Sequence, residues 1–163
     1  MPVRETVVGA IREAVGAGAV VDRDAIDARH LRDWVVPMAA GAPLALVRPG
    51  STADVSAVLR ICHDARVPVV PQGGLTGLAG GATPVDGAVV LSLDRMSGVE
   101  ELDEVAATMT VLAGTPLQVV QEAARAAGFL FALDLGARGS CQIGGNVATN
   151  AGGNRVIRYG MTR

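Results

Sequence analysis

The chain has 163 residues, half of them hydrophobic, and carries a formal net charge of −2. This length and composition suit one folded domain with a buried core and exclude an intrinsically disordered chain. Aromatic residues make up only 2% of the chain. We therefore expect no nucleic-acid partner, because such partners are bound by basic patches and by aromatic side chains that stack on bases.

The apolar segments are too short or too interrupted for membrane insertion or secretion. Charged residues at positions 4, 5, 12 and 13 interrupt the apolar run that a secretion signal needs. The longest apolar stretch, residues 35–47, is about a dozen residues long and contains Pro37, Gly41 and Pro43. We expect a cytoplasmic protein without a transmembrane segment.

The cysteines and histidines do not have the spacing of a metal site. Cys62 and Cys141 are far apart in the chain and are too few for a disulfide framework. His30 and His63 do not complete a set of metal ligands with them. The sequence therefore predicts no metal site among these residues.

Hydrophobic periodicity predicts a first helix over residues 3–15, within an N-terminal helical segment of residues 1–41. From residue 43 onward, short elements alternate. Runs of apolar residues predict five strands, at 44–47, 67–70, 88–93, 106–112 and 129–133. This order of elements is typical of an α+β or α/β domain.

A second helix is predicted to begin after residue 51. Ser51 and Asp54 have the spacing of a capping box. Apolar residues at positions 55, 58, 59 and 62 then follow at helical spacing, which places Cys62 on the buried face. We therefore interpret Cys62 as a small core residue and not as a reactive thiol.

A third helix is predicted to begin near residue 115. Thr115 has the position of its N-cap, with Pro116 at the first helical position, and Gly128 ends the helix. Its buried stripe is predicted to consist of Leu117, Val120 and Ala124.

The first of two glycine-rich segments, residues 71–81, contains five glycines directly after a predicted strand. Glycine allows a tight turn in which backbone N–H groups converge, and such a turn binds anions, typically phosphate. The segment has neither the Walker A pattern nor the spacing of a Rossmann fingerprint. From the glycine content alone, a mobile surface loop without a ligand is an equally good interpretation.

The second glycine-rich segment, residues 134–154, mixes glycine with serine, glutamine, asparagine and threonine. These short hydrogen-bonding side chains suit a cofactor with phosphates, a polyol chain and heteroaromatic edges. An elaborate set of turns is the alternative, although two such segments in one small domain favour a ligand.

These segments carry a resemblance to a known family. Residues 71–81 resemble the pyrophosphate loop of the FAD-binding domain shared by the p-cresol methylhydroxylase and vanillyl-alcohol oxidase flavoproteins. Residues 134–153, followed by Arg158, Tyr159 and Gly160, resemble the branch that contains D-2-hydroxyglutarate dehydrogenase, D-lactate dehydrogenase and the glycolate oxidase catalytic subunit. The specific part is the ungapped stretch 139–153, and a weaker resemblance extends from about Trp34 to Arg163.

The resemblance implies an α+β fold, namely the FAD-binding domain of the p-cresol methylhydroxylase type, with FAD between two subdomains. Residues 42–163 would form part of this domain. The expectation is a chain truncated before the domain's C-terminal part, with the substrate domain absent.

The resemblance also implies the residues that hold the cofactor. The first segment is expected to wrap the pyrophosphate through backbone N–H groups, and the second to line the rest of the FAD. The cofactor-binding residues predicted in this way are Gly73, Gly74, Leu75, Thr76, Gly77, Ser140, Gly144, Gly145, Asn146, Thr149, Asn150 and Gly152. Arg158 and Tyr159 would lie near the flavin or substrate, or else be a solvated arginine and a packed tyrosine. Leu75 stands where the branch often has asparagine, so one side-chain contact is lost.

Some relatives attach flavin covalently through a histidine in or beside the first loop. No histidine occurs between Pro71 and Gly81, which predicts noncovalent FAD.

The implied activity is the oxidation of a D-2-hydroxy acid, of the 2-hydroxyglutarate, lactate or glycolate type, to the 2-oxo acid by hydride transfer to FAD. The electron acceptor would be a quinone or an electron-transfer flavoprotein. Neither histidine lies in a glycine-rich segment, so no catalytic residue is assigned. The alternatives are a truncated, non-catalytic flavin-binding module and a different FAD-linked oxidase of the same superfamily.

Overall fold

The computed structural model describes residues 2–32 and 41–162, with side chains from residue 6 onward. It divides into two compact units, Met1–Arg95 and Met96–Arg163. Trp34, where the weaker resemblance begins, and Arg163 lie outside the described residues. The assignment of residues 1–41 and 42–163 to separate segments stays a prediction.

Four short strands form the sheet of the first unit. They are β1 (Val20–Asp22), β2 (Ala45–Val47), β3 (Val69–Gln72) and β4 (Val89–Ser92), in the order β1-β2-β4-β3. Strand β1 is antiparallel to β2, whereas β2, β4 and β3 are parallel. Strand β1 lies inside the N-terminal segment for which only helix was predicted.

Helices α1 (Pro2–Val15) and α2 (Thr52–Asp64) pack with one face of this sheet. Alternate strand residues such as Val47 and Val89 point into that layer, because successive side chains in a strand face opposite sides. Leu46 and Val90 therefore point the other way and pack with Ile26 from the short 3-10 turns before β2.

The predicted helices of the first unit are confirmed. The Ser51 side chain accepts a hydrogen bond from the Asp54 N–H at 3.1 Å, as the capping pattern predicts. Cys62 is buried, and burial raises the pKa of its thiol, in agreement with a core role. Leu59, in contrast, is 44% exposed, so the buried stripe is narrower than predicted.

The second unit begins with a hairpin of β5 (Val99–Asp103) and β6 (Thr108–Val111), followed by helices α3 (Leu117–Ala126), α4 (Ile143–Ala148) and α5 (Val156–Tyr159). Strand β5 was not predicted. It is rich in acidic residues and mostly exposed, so it lacks the apolar alternation that identifies a half-buried strand.

The start of α3 differs from the prediction. The helix begins at Leu117, and Pro116 holds the capping position without a side-chain cap. Thr115 is therefore not the N-cap. Its hydroxyl donates to the Leu112 carbonyl at 2.6 Å and accepts from the Gly98 N–H at 2.9 Å, which ties the hairpin to the helix start. The predicted buried stripe on α3 is confirmed.

The predicted strand at 129–133 is wrong, because these residues form no strand in the structure. Their apolar side chains instead line a cavity of about 310 Å³ together with the hairpin and α3. Phe129 and Leu130 remain 39% and 59% exposed. An apolar run thus indicated packing but not a strand, which also requires a neighbouring strand for its hydrogen bonds.

Among the described residues, no helix combines the length and the apolar character that crossing a membrane requires.

Candidate functional site

The first glycine-rich segment begins at the carboxyl end of β3 and forms the first part of the connection to the amino end of the parallel strand β4. Parallel neighbours need a long crossover connection, so the topology requires a long segment between β3 and β4. The carboxyl edge of a parallel sheet is where ligands bind in open α/β folds. The loop is therefore placed where a ligand is expected.

Backbone N–H groups in this loop are available to an anion. Those of Gly73, Gly74, Thr76 and Gly77 form no hydrogen bond with another described residue. Residues 73–76 are only partly exposed. Partly sheltered N–H donors without a protein partner are what phosphate oxygens bind.

Leu75 has a left-handed backbone, with φ of 55°. This conformation is costly for a residue with a large side chain, whereas asparagine tolerates it. The turn thus gives a physical reason for the asparagine that the family resemblance leads us to expect at this position.

We expect Leu75→Asn to raise the free energy of unfolding by about 1 kcal/mol, because the left-handed conformation costs leucine about that much. Urea denaturation measures the change. Leu78→Asn is the matched control, since Leu78 lies in the same loop, is 63% exposed and has no positive φ. Equal effects of the two substitutions would show that backbone strain at residue 75 is not the cause.

The second glycine-rich segment lies wholly in the second unit. Of its predicted cofactor residues, Asn146 on α4 is buried, Gly144 and Gly145 are half-buried, and the exposed ones are Ser140, Thr149, Asn150 and Gly152. Gly144 has a packing reason to be glycine, because a Cβ there would lie 2.9 Å from the Cβ and carbonyl oxygen of Ala113.

Two buried amide oxygens in this segment lack a hydrogen-bond partner. They are Oε1 of Gln142 and Oδ1 of Asn146, on side chains only 8% and 6% exposed. Gln142 is the N-cap residue of α4, and the Asn146 N–H donates to the Gln142 carbonyl at 2.9 Å, which holds the two residues at the same end of the helix. Sequence reasoning did not select Gln142. The spacing of the two amides was the signal that could have identified it.

An unsatisfied buried acceptor costs about 1–3 kcal/mol, so two of them indicate a ligand that supplies donors. FAD carries such donors in its ribityl and ribose hydroxyls, its adenine amine and the N–H of its flavin ring. It also carries the diphosphate that suits the first segment. The residues present therefore fit FAD.

Asp134 organises the start of the second segment. Its carboxylate accepts hydrogen bonds from the side chains of Asn154, Gln121 and Arg138, and Arg155 lies 3.7 Å away. The pKa of Asp134 lies below its ordinary value because of the hydrogen bond from Asn154, those from Gln121 and Arg138, and the Arg138 charge. Desolvation of the carboxylate opposes them.

Because the pKa of Asp134 is lower in the folded chain than its ordinary value, the ionised carboxylate stabilises the fold at pH values above the ordinary carboxyl pKa. This contribution is lost as the pH falls through the folded-state pKa. We expect the urea midpoint of the wild type to fall more between about pH 6 and about pH 3 than that of Asp134→Asn. An equal fall for both proteins would contradict this role of Asp134.

Arg158, Tyr159 and the two histidines were the remaining residues considered for the site. Arg158 stacks on the Tyr159 ring at 5.2 Å from its centroid, and Tyr159 is 46% exposed, so it is not a packed core residue. His63 is an exposed residue of α2. The His30 ring is buried and hydrogen-bonded to Gln72 and Arg29, so neither histidine has the setting of a general base.

Comparison with known proteins identifies the family. Residues 43–163 match the FAD binding domain family. The chain belongs to this family. It is 52% identical to D-2-hydroxyglutarate dehydrogenase of Xanthomonas citri pv. viticola over 132 residues, which cover 81% of this chain and 28% of that protein. It is 40% identical to the mitochondrial D-2-hydroxyglutarate dehydrogenase of Bos taurus over 161 residues, which cover 99% of this chain and 29% of that one. The chain thus spans less than a third of the length of these relatives.

Solved structures agree with the fold. An alkyldihydroxyacetonephosphate synthase matches with a TM-score of 0.84 at 20% identity, covering 96% of this chain and 31% of that one. p-Cresol methylhydroxylase matches with a TM-score of 0.77 at 20% identity, covering 93% of this chain and 30% of that one. The predicted α+β fold of the p-cresol methylhydroxylase type is confirmed, and so is the predicted family.

Proposed function

We propose that this chain binds FAD. The loop of Gly73, Gly74, Leu75, Thr76 and Gly77 takes the diphosphate through its N–H groups. The second segment takes hydroxyl and amine donors of the cofactor. The observation that carries the proposal is the pair of buried, unpartnered amide oxygens of Gln142 and Asn146, in a chain whose family binds FAD.

The FAD is held noncovalently in this proposal. A covalent link would need a nucleophilic side chain beside the cofactor, and residues 71–81 contain neither histidine nor cysteine. Cys141 in the second segment is only 2% exposed. The denatured chain is expected to have the mass of the polypeptide alone, and a flavin adduct in the intact mass would contradict this.

The reaction proposed for the whole protein is the oxidation of a D-2-hydroxy acid to the 2-oxo acid. The names of both relatives favour the 2-hydroxyglutarate type. When bound, FAD supplies the acceptor for the two electrons, while the protein binds and orients it. The described residues of this chain contribute cofactor binding, and none is assigned to proton removal from the substrate hydroxyl.

A quinone or an electron-transfer flavoprotein as electron acceptor, and a cytoplasmic location, complete the proposal. Reoxidation assays with each acceptor class and cell fractionation test these two parts separately from cofactor binding.

The test of the proposed function is a titration of the flavin-free chain with FAD, followed by quenching of flavin fluorescence. Saturable binding is expected, with ADP as a competitor because it carries the diphosphate, and riboflavin as a much weaker ligand because it has none. A folded chain that binds no FAD, or that binds FAD and riboflavin equally, would overturn the proposal.

A further inference from the structure

A buried glutamine lies at the point where β3 enters the first glycine-rich loop. Gln72 is only 1% exposed, and its amide nitrogen donates to two carbonyl oxygens: that of His30 at 2.9 Å and that of Ala82 at 2.8 Å. Residues 73–81 run between Gln72 and Ala82. One side chain thus fixes the distance between the two ends of the loop.

The partner of Gln72 is His30, which lies 42 residues earlier in the chain and is 4% exposed. Its Nδ1 lies 2.6 Å from Oε1 of Gln72. The short 3-10 turn that carries His30 is itself held by Asp27, whose carboxylate accepts from the Arg29 N–H at 2.8 Å. His30 is therefore presented to Gln72 from a capped turn.

The hydrogen positions of this group follow from its partners. Carbonyl oxygens only accept, so the Gln72 atom that contacts two of them is the amide nitrogen, and the atom facing His30 is the amide oxygen. Nδ1 of His30 must then carry the hydrogen and donate it. Nε2 accepts from Nε of Arg29 at 3.2 Å, which agrees with this tautomer.

We propose that His30 is a positioning residue for the phosphate-binding loop, acting through Gln72. This inference rests on the proposed function, since it gives the loop a ligand to be positioned for. His30 orients the Gln72 amide, and the amide holds the carbonyl of Ala82, so that residues 73–81 present their N–H groups in one arrangement. A pre-formed anion site has a higher affinity because little ordering remains for the ligand to impose.

The test compares two substitutions of similar shape. His30→Asn places an amide N–H at the position of Nδ1 and keeps the donor, whereas His30→Leu removes it. We expect hydrogen exchange of the Thr83 amide, which donates to the Gly80 carbonyl at 3.0 Å and so reports the closed form of the loop, to be about tenfold faster in flavin-free His30→Leu than in the wild type, because loss of one net hydrogen bond is about a tenfold change in an equilibrium. We expect the dissociation constant for FAD to rise by a similar factor. His30→Asn is expected to restore both values, and Gln72→Met to reproduce the leucine effect.

Val58→Ala serves as the stability control, because Val58 is fully buried in the core on α2 and is separate from the His30–Gln72 group. It is expected to lower global stability while leaving the FAD dissociation constant and the relative exchange of the loop unchanged. The inference would be overturned if His30→Leu and His30→Asn had the same exchange rate at the loop and the same FAD dissociation constant. It would also be overturned if exchange at the loop in Gln72→Met were as slow as in the wild type. Absence of FAD binding by the wild type would overturn the proposed function instead, and the exchange comparison would still decide the role of His30.

Discussion

Gly153→Ala is expected to lower the free energy of unfolding by about 3 kcal/mol, at the upper end of overpacking effects. A Cβ at this position would lie 1.9 Å from the carbonyl oxygen of Asp134 and 2.7 Å from its carbonyl carbon. Backbone atoms cannot rotate away as a side chain can. Urea denaturation followed by circular dichroism measures the loss.

The matched control is the neighbouring substitution, Gly152→Ala. A Cβ there would lie 3.3 Å from the terminal methyl of Met161, which is the far end of a flexible side chain. The expected change is within about 0.5 kcal/mol. Similar losses for both substitutions would contradict the explanation, because they would reflect glycine-to-alanine replacement in general and not the approach to Asp134.

The expected effect of Gly153→Ala also reaches the candidate site. The same approach lets the Asn154 N–H donate to the Asp134 carbonyl at 3.0 Å, so the two ends of the second glycine-rich segment are held together. Loss of this contact is expected to weaken FAD binding together with stability.

Removal of the unpartnered amides is expected to separate cofactor binding from stability. Asn146→Leu and Gln142→Met each replace a buried amide with an apolar group of similar size. Without flavin, the free energy of unfolding is expected to stay constant or rise, because an unsatisfied buried acceptor is removed. The dissociation constant for FAD is expected to rise about tenfold for each substitution, which corresponds to the loss of one hydrogen bond.

The control for these two substitutions is Gln118→Met. The Gln118 amide donates to Glu122 on the surface of α3 at 2.8 Å and so already has a partner within the helix. Gln118→Met is therefore expected to leave the FAD dissociation constant unchanged. If Asn146→Leu destabilises the flavin-free chain and leaves FAD affinity intact, the amide has a structural role and the assignment to the cofactor is wrong.

The sequence predicted the elements whose signals are local. The helix after Ser51 was recognised because the cap and its partner Asp54 are three residues apart, and the structure forms that hydrogen bond. The buried stripe of α3 was likewise predicted from spacing along one helix. The prediction of Thr115 as the N-cap is wrong because its hydroxyl bonds to Gly98, which lies 17 residues away and has no local signature.

The same distinction between local signals and contacts distant in sequence holds for the candidate site. The sequence by itself determined the family and both glycine-rich segments, because glycine-rich turns and short polar side chains leave a pattern along the chain. Only the tertiary structure decided which atoms in those segments lack protein partners, since burial and hydrogen bonding depend on residues distant in sequence. It also decided that His30 and Gln72 meet, because a contact across 42 residues is made by packing the 3-10 turn beside the end of β3 and not by any local preference.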